Sequence, residues 1–193
     1  MQLNPNDASI HFNLGNSLRK LGDIDGSIAE YQSATRINPD YADALKPSLS
    51  FGGRENLDGA LAEAKAALLF YADHGEAHAN VALCMFRKGD REGAANEFRT
   101  AVGLDSGRAW IHQGYADLLR DTGKLDAAAS EYRAVLKIAA TNAAAHLGLG
   151  TVLEKQGDLK SAVEAYRQAL ALAPDSKQAK SQLETLSSKL AKN

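Results

Sequence analysis

The sequence predicts an all-α solenoid of helix-turn-helix repeats, and three observations predict it. Residues compatible with helix dominate, because aromatics make up 6% of the 193 residues and proline occurs only 4 times. A glycine-centred turn recurs, with Gly89, Gly123 and Gly157 spaced 34 residues apart and Gly22 lying 67 before Gly89. Around each turn the same order of small and ring side chains returns. Self-similarity at such a period is the signature of stacked supersecondary units.

Aligned on these turns, the chain divides into units at 8–41, 42–74, 75–108, 109–142 and 143–176. Each unit has an apolar-periodic segment, a turn, a second such segment and a polar break. Small residues stand before the turn at Gly15, Ala82, Ala116 and Gly150, and after it at Ser27, Ala60, Ala94, Ala128 and Ala162. Four further on comes a ring, at Tyr31, Phe98, Tyr132 and Tyr166, with Ala64 in the second unit. Ala34, Ala67, Ala101, Val135 and Ala169 follow three beyond that. Small side chains let two helices approach closely at their crossing and the ring fills the space beside it. Glycine at the turn supplies the left-handed conformation that ends the first helix. Pro39 and Pro174 end the second, since proline cannot continue a helix. A lone hairpin leaves its apolar face uncovered, so each unit is expected to stack on its neighbours.

The ends and one internal stretch depart from this pattern. Residues 177–193 place Ala179, Leu183, Leu186 and Leu190 at helical spacing against a polar face, which reads as a capping helix. Residues 1–7 match the close of a repeat, so they read either as the remnant of a preceding repeat, which would make the chain a fragment of a longer repeat protein, or as a short leader; in the first case Ile10, His11 and Leu14 form an uncovered edge that predicts self-association or a crystal contact. Within 46–56, Pro47 and the pair Gly52-Gly53 fall where the first helix of the second unit should run. Proline costs about 3 kcal/mol in mid-helix, so this stretch reads either as a joint in the array or as a rigid, irregular helix.

Composition excludes several classes of function. A net charge of −2 provides no basic footprint for nucleic acid. Cys84 is the only cysteine, which rules out an internal disulfide or a cysteine-only metal site. No apolar run reaches the length of a membrane span. The glycines fall in turns, crossings or the irregular stretch, and no nucleophile–base pair, phosphate loop or carboxylate pair stands out. The expectation is therefore a cytoplasmic protein, not an enzyme, with no cofactor and no metal.

The repeated LGNSLRKLGDIDGSIAEYQSATRINPD and LGLGTVLEKQGDLKSAVEAYRQALALAPD resemble the tetratricopeptide repeat family over almost all of residues 8–176. The resemblance implies a right-handed superhelix whose inner wall is built from the first helix of each unit. It places groove-facing residues at the second, fifth, sixth, ninth, twelfth and thirteenth positions. The residues this selects for a peptide-binding groove are Phe12, Asn13, Asn16 and Arg19 in the first unit and Asn80, Leu83, Phe86 and Arg87 in the third. In the fourth they are Trp110, Gln113, Asp117 and Arg120, with Trp110 the expected anchor. Some members hold the C-terminal carboxylate of heat-shock chaperones in a clamp of Lys, Asn and Arg. Here the corresponding places carry Phe12, Asn16, Glu76 and Asn80, or Ala79, Leu83, Gly114, Ala144 and Gly148, so that clamp is missing.

His11, His78, His112 and His146 share the fourth position of their units. Packed helices lie roughly 8–10 Å apart, whereas the ligands of one zinc lie about 2 Å from it. Repeat-related imidazoles therefore cannot converge on a metal, and they read as packing residues whose protonation would loosen the array. The leading expectation is a scaffold that binds a peptide or extended protein segment. The alternatives are the substrate-recognition arm of a larger enzyme resembling the O-linked N-acetylglucosamine transferases, with Gly114 and Gly148 as departures, or a self-assembling scaffold.

Overall fold

The chain was studied as a computed structural model, which describes residues 7–38, isolated positions within 57–68 and residues 72–190. The irregular stretch 46–56 and the first six residues lie outside the described residues, as does most of the second unit. The described helices are α1 (Ala8–Leu21), α2 (Ile24–Ile37), α3 (Gly75–Lys88), α4 (Arg91–Leu104), α5 (Ala109–Asp121), α6 (Leu125–Ile138), α7 (Ala143–Gln156), α8 (Leu159–Leu172) and α9 (Lys177–Leu190). No strand occurs among the described residues. The chain forms two bodies, 1–104 and 105–193. In the first, α1 packs on α2 and α3 on α4. In the second, each helix from α5 to α9 packs on the next, and α5 also touches α7.

The turns explain the recurring Gly-Asp dipeptide. Gly22, Gly89 and Gly157 close α1, α3 and α7 in the left-handed region, with φ of 83°, 92° and 86°. Asp23, Asp90 and Asp158 follow directly and accept the backbone N–H of Gly26, Gly93 and Ser161 at 3.0, 2.9 and 3.1 Å. The dipeptide is thus a C-cap and an N-cap side by side, which lets the chain reverse within two residues. After Gly123 the Asp is replaced by Lys124, and α6 begins without a side-chain cap.

The small/ring/small order forms the core. Tyr31, Phe98, Tyr132 and Tyr166 are each at most 2% exposed. The residues three beyond them, Ala34, Ala101, Val135 and Ala169, are equally hidden. The crossing residues are small because the rings lie against them. A Cβ on Gly15 would sit 2.7 Å from the Tyr31 ring, and one on Gly150 would sit 2.7 Å from the Tyr166 ring. In the second body this core runs on from hairpin to hairpin through Leu119, Tyr132, Ala145 and Val152. It ends under α9, where Leu186 and its neighbours cover Leu153, Ala162 and Tyr166. Burying such large side chains stabilises by about 1.5–3 kcal/mol each.

The histidines join the two helices of a hairpin. The Nδ1 of His11, His78 and His112 each lies 2.6 Å from a carboxylate oxygen, on Glu30, Glu97 and Glu131 respectively. His78 and His112 also donate from Nε2 to the carbonyls of Ala72 and Ser106, at 2.9 and 3.1 Å. Both nitrogens of these two rings face acceptors, so only the doubly protonated imidazole makes both bonds. The partner glutamates stand nineteen residues downstream of their histidines.

Candidate functional site

In the second body the candidate face is formed by α5 and its neighbour α7. Trp110 stands at the start of α5, 37% exposed. One turn on, Gln113 donates from Nε2 to Asp117 at 3.3 Å, while its buried Oε1 has no donor among the described residues. Asp117 accepts the Tyr132 hydroxyl at 2.6 Å and the Arg120 guanidinium at 3.0 Å. Arg120 in turn donates to the Tyr132 oxygen at 2.8 Å and pairs with Asp121 at 3.1 Å. Gln113, Asp117 and Arg120 thus form one network anchored on a core tyrosine. Burial, and then the bond to the Asp117 carboxylate, push the Tyr132 hydroxyl well above its ordinary range, so it remains a donor.

Tyr132 reaches this network only because α7 carries glycine at 148. A Cβ there would meet Tyr132 Cζ at 2.4 Å. In the next hairpin Tyr166 donates to Glu154 at 2.7 Å and lies 3.5 Å from the Thr151 hydroxyl. Burial first, with the Glu154 carboxylate adding, pushes Tyr166 up to about 12.

The first body repeats the arrangement on α1. Tyr31 donates to Asn16 Oδ1 at 2.8 Å, and its ring lies 5.7 Å from that of Phe12. Asn13 is exposed, and Arg19 is half-buried. On α3, Leu83 and Phe86 are half-buried and Arg87 is exposed. Asn80 is 2% exposed and donates from Nδ2 to the Glu76 carbonyl of its own helix.

A regularity emerges that the groove positions alone did not reveal. In the four units that carry one, the core ring lies fifteen residues after the ninth position and twelve after the twelfth. Where the ring is tyrosine, those positions are polar: Asn16 and Arg19, Asp117 and Arg120, Thr151 and Glu154. Where it is Phe98, they are Leu83 and Phe86. The hydroxyl determines whether the face above it is polar, since a buried O–H requires a partner. The signal was present in the sequence as this correlated choice.

Other chemistry is sparse. Cys84 is buried, and burial raises its thiol, which keeps it protonated and unreactive. Among the described residues no group of three or more His, Cys, Asp or Glu is placed to hold a metal, and no helix is long and apolar enough to cross a membrane.

Fold and face together define a helical-hairpin repeat protein whose first helices carry a graded polar and aromatic surface. Two family models match the chain, one for the tetratricopeptide repeat over residues 115–177 and one for the TPR repeat over 15–45. The chain belongs to the tetratricopeptide repeat family. A sequence search of curated proteins finds no match. Among solved structures it is similar to MamA, at 21% identity and a TM-score of 0.63, covering 86% of this chain and 91% of that one. It is also similar to YrrB, described as a TPR protein with an unusual peptide-binding site, at 21% identity and a TM-score of 0.66, covering 91% of each chain. The second TPR domain of the human RPAP3 protein, in complex with an HSP70 peptide, matches at 20% identity and a TM-score of 0.54, covering 62% of this chain and 97% of that one. At these identities the likeness concerns the fold.

Proposed function

We propose that the chain is a non-catalytic protein-interaction scaffold that holds an extended peptide segment against its first helices. The observation that carries this reading is Trp110, an indole left 37% exposed beside a hydrogen-bonded row of Gln113, Asp117 and Arg120. An exposed aromatic next to prearranged polar groups is the make-up of a binding hot spot. The corresponding faces of α1 and α3 offer Phe12, Asn13, Asn16 and Arg19, and Leu83, Phe86 and Arg87. Family membership and peptide-bound structural neighbours support the same class of function.

Peptides selected by display against the whole chain test it. Trp110→Ala is expected to weaken the selected peptides about 30-fold, the equivalent of the 2 kcal/mol that marks a hot spot, while helix content and melting temperature stay unchanged. Equal binding by Trp110→Ala and the parent chain would discard this face. A second reading, self-association along α1, is favoured by Leu14 and Leu21, which are 43% and 82% exposed. Light scattering that reports a monomer at every concentration would remove it.

A further inference from the structure

We propose a second binding site in the second body, where α6, α7 and α8 line an open pocket that takes a glutamate side chain from a partner protein. The pocket has a volume of about 320 Å³ and is open to solvent. This is at the lower end of the roughly 300–1,000 Å³ typical of ligand sites. Leu136 and Leu149 line it, together with Arg133, His146, Glu164 and Ala165.

Its origin lies in one residue. In three hairpins the histidine at the fourth position binds a glutamate nineteen residues on, as in His11–Glu30, His78–Glu97 and His112–Glu131. His146 holds the same orientation, donating from Nε2 to the Ala140 carbonyl at 3.1 Å, just as His112 donates to Ser106. The residue nineteen beyond His146 is Ala165. The Nδ1 of His146 therefore faces the space that a glutamate fills in the other hairpins, and no described residue bonds to it.

Arg133 lines that space from α6 and supplies a positive charge, which also acts on Asp158. Glu164 lines it from α8, its carboxylate accepting from Gln168 at 2.8 Å and lying 3.9 Å from Arg167. An incoming carboxylate bonded to Nδ1 restores the pair made in the other hairpins. The remaining volume, larger than one such side chain needs, takes an apolar neighbour against Leu136 and Leu149. Since Nε2 already donates to a carbonyl, Nδ1 carries a proton only on the imidazolium. Binding accordingly requires the doubly protonated ring and weakens as pH rises.

Titration of the full chain with acetyl-Leu-Glu-Leu-amide, followed by amide resonances of α6 to α8, tests the site. The expected result is saturation in the millimolar range, binding about tenfold tighter than the Gln counterpart, and tightening from pH 8 to pH 6. Ala165→Glu is expected to fill the pocket from within, abolish binding and raise the melting temperature by about 2 °C or more. His146→Ala is expected to abolish binding with the fold intact, and Trp110→Ala to leave it unchanged. Equal affinity for the Glu and Gln peptides, no saturation, pH-independent binding or unimpaired binding by His146→Ala would each overturn the proposal. Acetate binding as tightly as the peptide would overturn the partner-protein reading.

Discussion

Replacing Gly148 by alanine is expected to destabilise the chain, although alanine is the better helix former. The new Cβ would stand 2.4 Å from Tyr132 Cζ, 2.5 Å from Cε1 and 2.7 Å from the hydroxyl oxygen. Carbon atoms in contact prefer about 3.5–4.0 Å, so the ring has to move by more than an ångström. It is fully buried and cannot swing into solvent. Its oxygen is held by Asp117 at 2.6 Å and Arg120 at 2.8 Å, and both bonds lengthen if it moves. Overpacking costs about 1–3 kcal/mol, and losing a bond to a charged group costs about 1.5–3 kcal/mol. Because Asp117 and Arg120 keep each other at 3.0 Å and are about one-third exposed, only part of the second cost applies. The helix-propensity gain of about 1 kcal/mol opposes both, leaving a net loss of about 2 kcal/mol. Gly103→Ala in α4 is the internal control, since nothing lies within 4 Å of its Cβ position; it is expected to stabilise by about 0.5–1 kcal/mol. Urea unfolding followed by circular dichroism compares the two. If Gly148→Ala stabilised as much as Gly103→Ala, the claim that Tyr132 is pinned against α7 would be wrong.

Two further predictions concern the turns. Lys124→Asp supplies the cap that α6 lacks and is expected to raise stability by about 1 kcal/mol, read as a higher urea midpoint; an unchanged midpoint would mean that the Gly-Asp turn gains nothing from its aspartate. At Asp158, the hydroxyl and backbone N–H of Ser161 hold the carboxyl below its ordinary 3.8. A folded-state value lower than the unfolded one stabilises above about 3.8 and is lost as pH falls through the folded value. Asp158→Asn keeps an acceptor but does not titrate, so the parent's stability advantage over this variant is expected to shrink on acidification below that point. A constant difference across the acid range would contradict the capping role.

The turns, the crossings and the rings were legible in the chain because each repeats at a fixed offset and acts on its nearest neighbours. Gly22, Gly89 and Gly157 announce where a helix ends, and Tyr31, Phe98, Tyr132 and Tyr166 announce what fills the crossing. Trp110 stands 37% exposed at the start of α5. Asn80 occupies an expected groove position, yet its Nδ2 bonds the Glu76 carbonyl inside its own helix. Position in a repeat specifies which way a residue's Cα–Cβ bond points, but not which partner captures its polar atoms.

What the sequence determined by itself was therefore the hairpin, its period and the composition of its core, because these follow from local caps and from close packing between adjacent helices. What only the tertiary structure decided were the pairings across the hairpin: Tyr132 with Asp117 and Arg120, and His112 with Glu131. These depend on how two helices cross and which rotamer each side chain adopts. A periodic pattern counts residues along the chain and carries no information about that geometry.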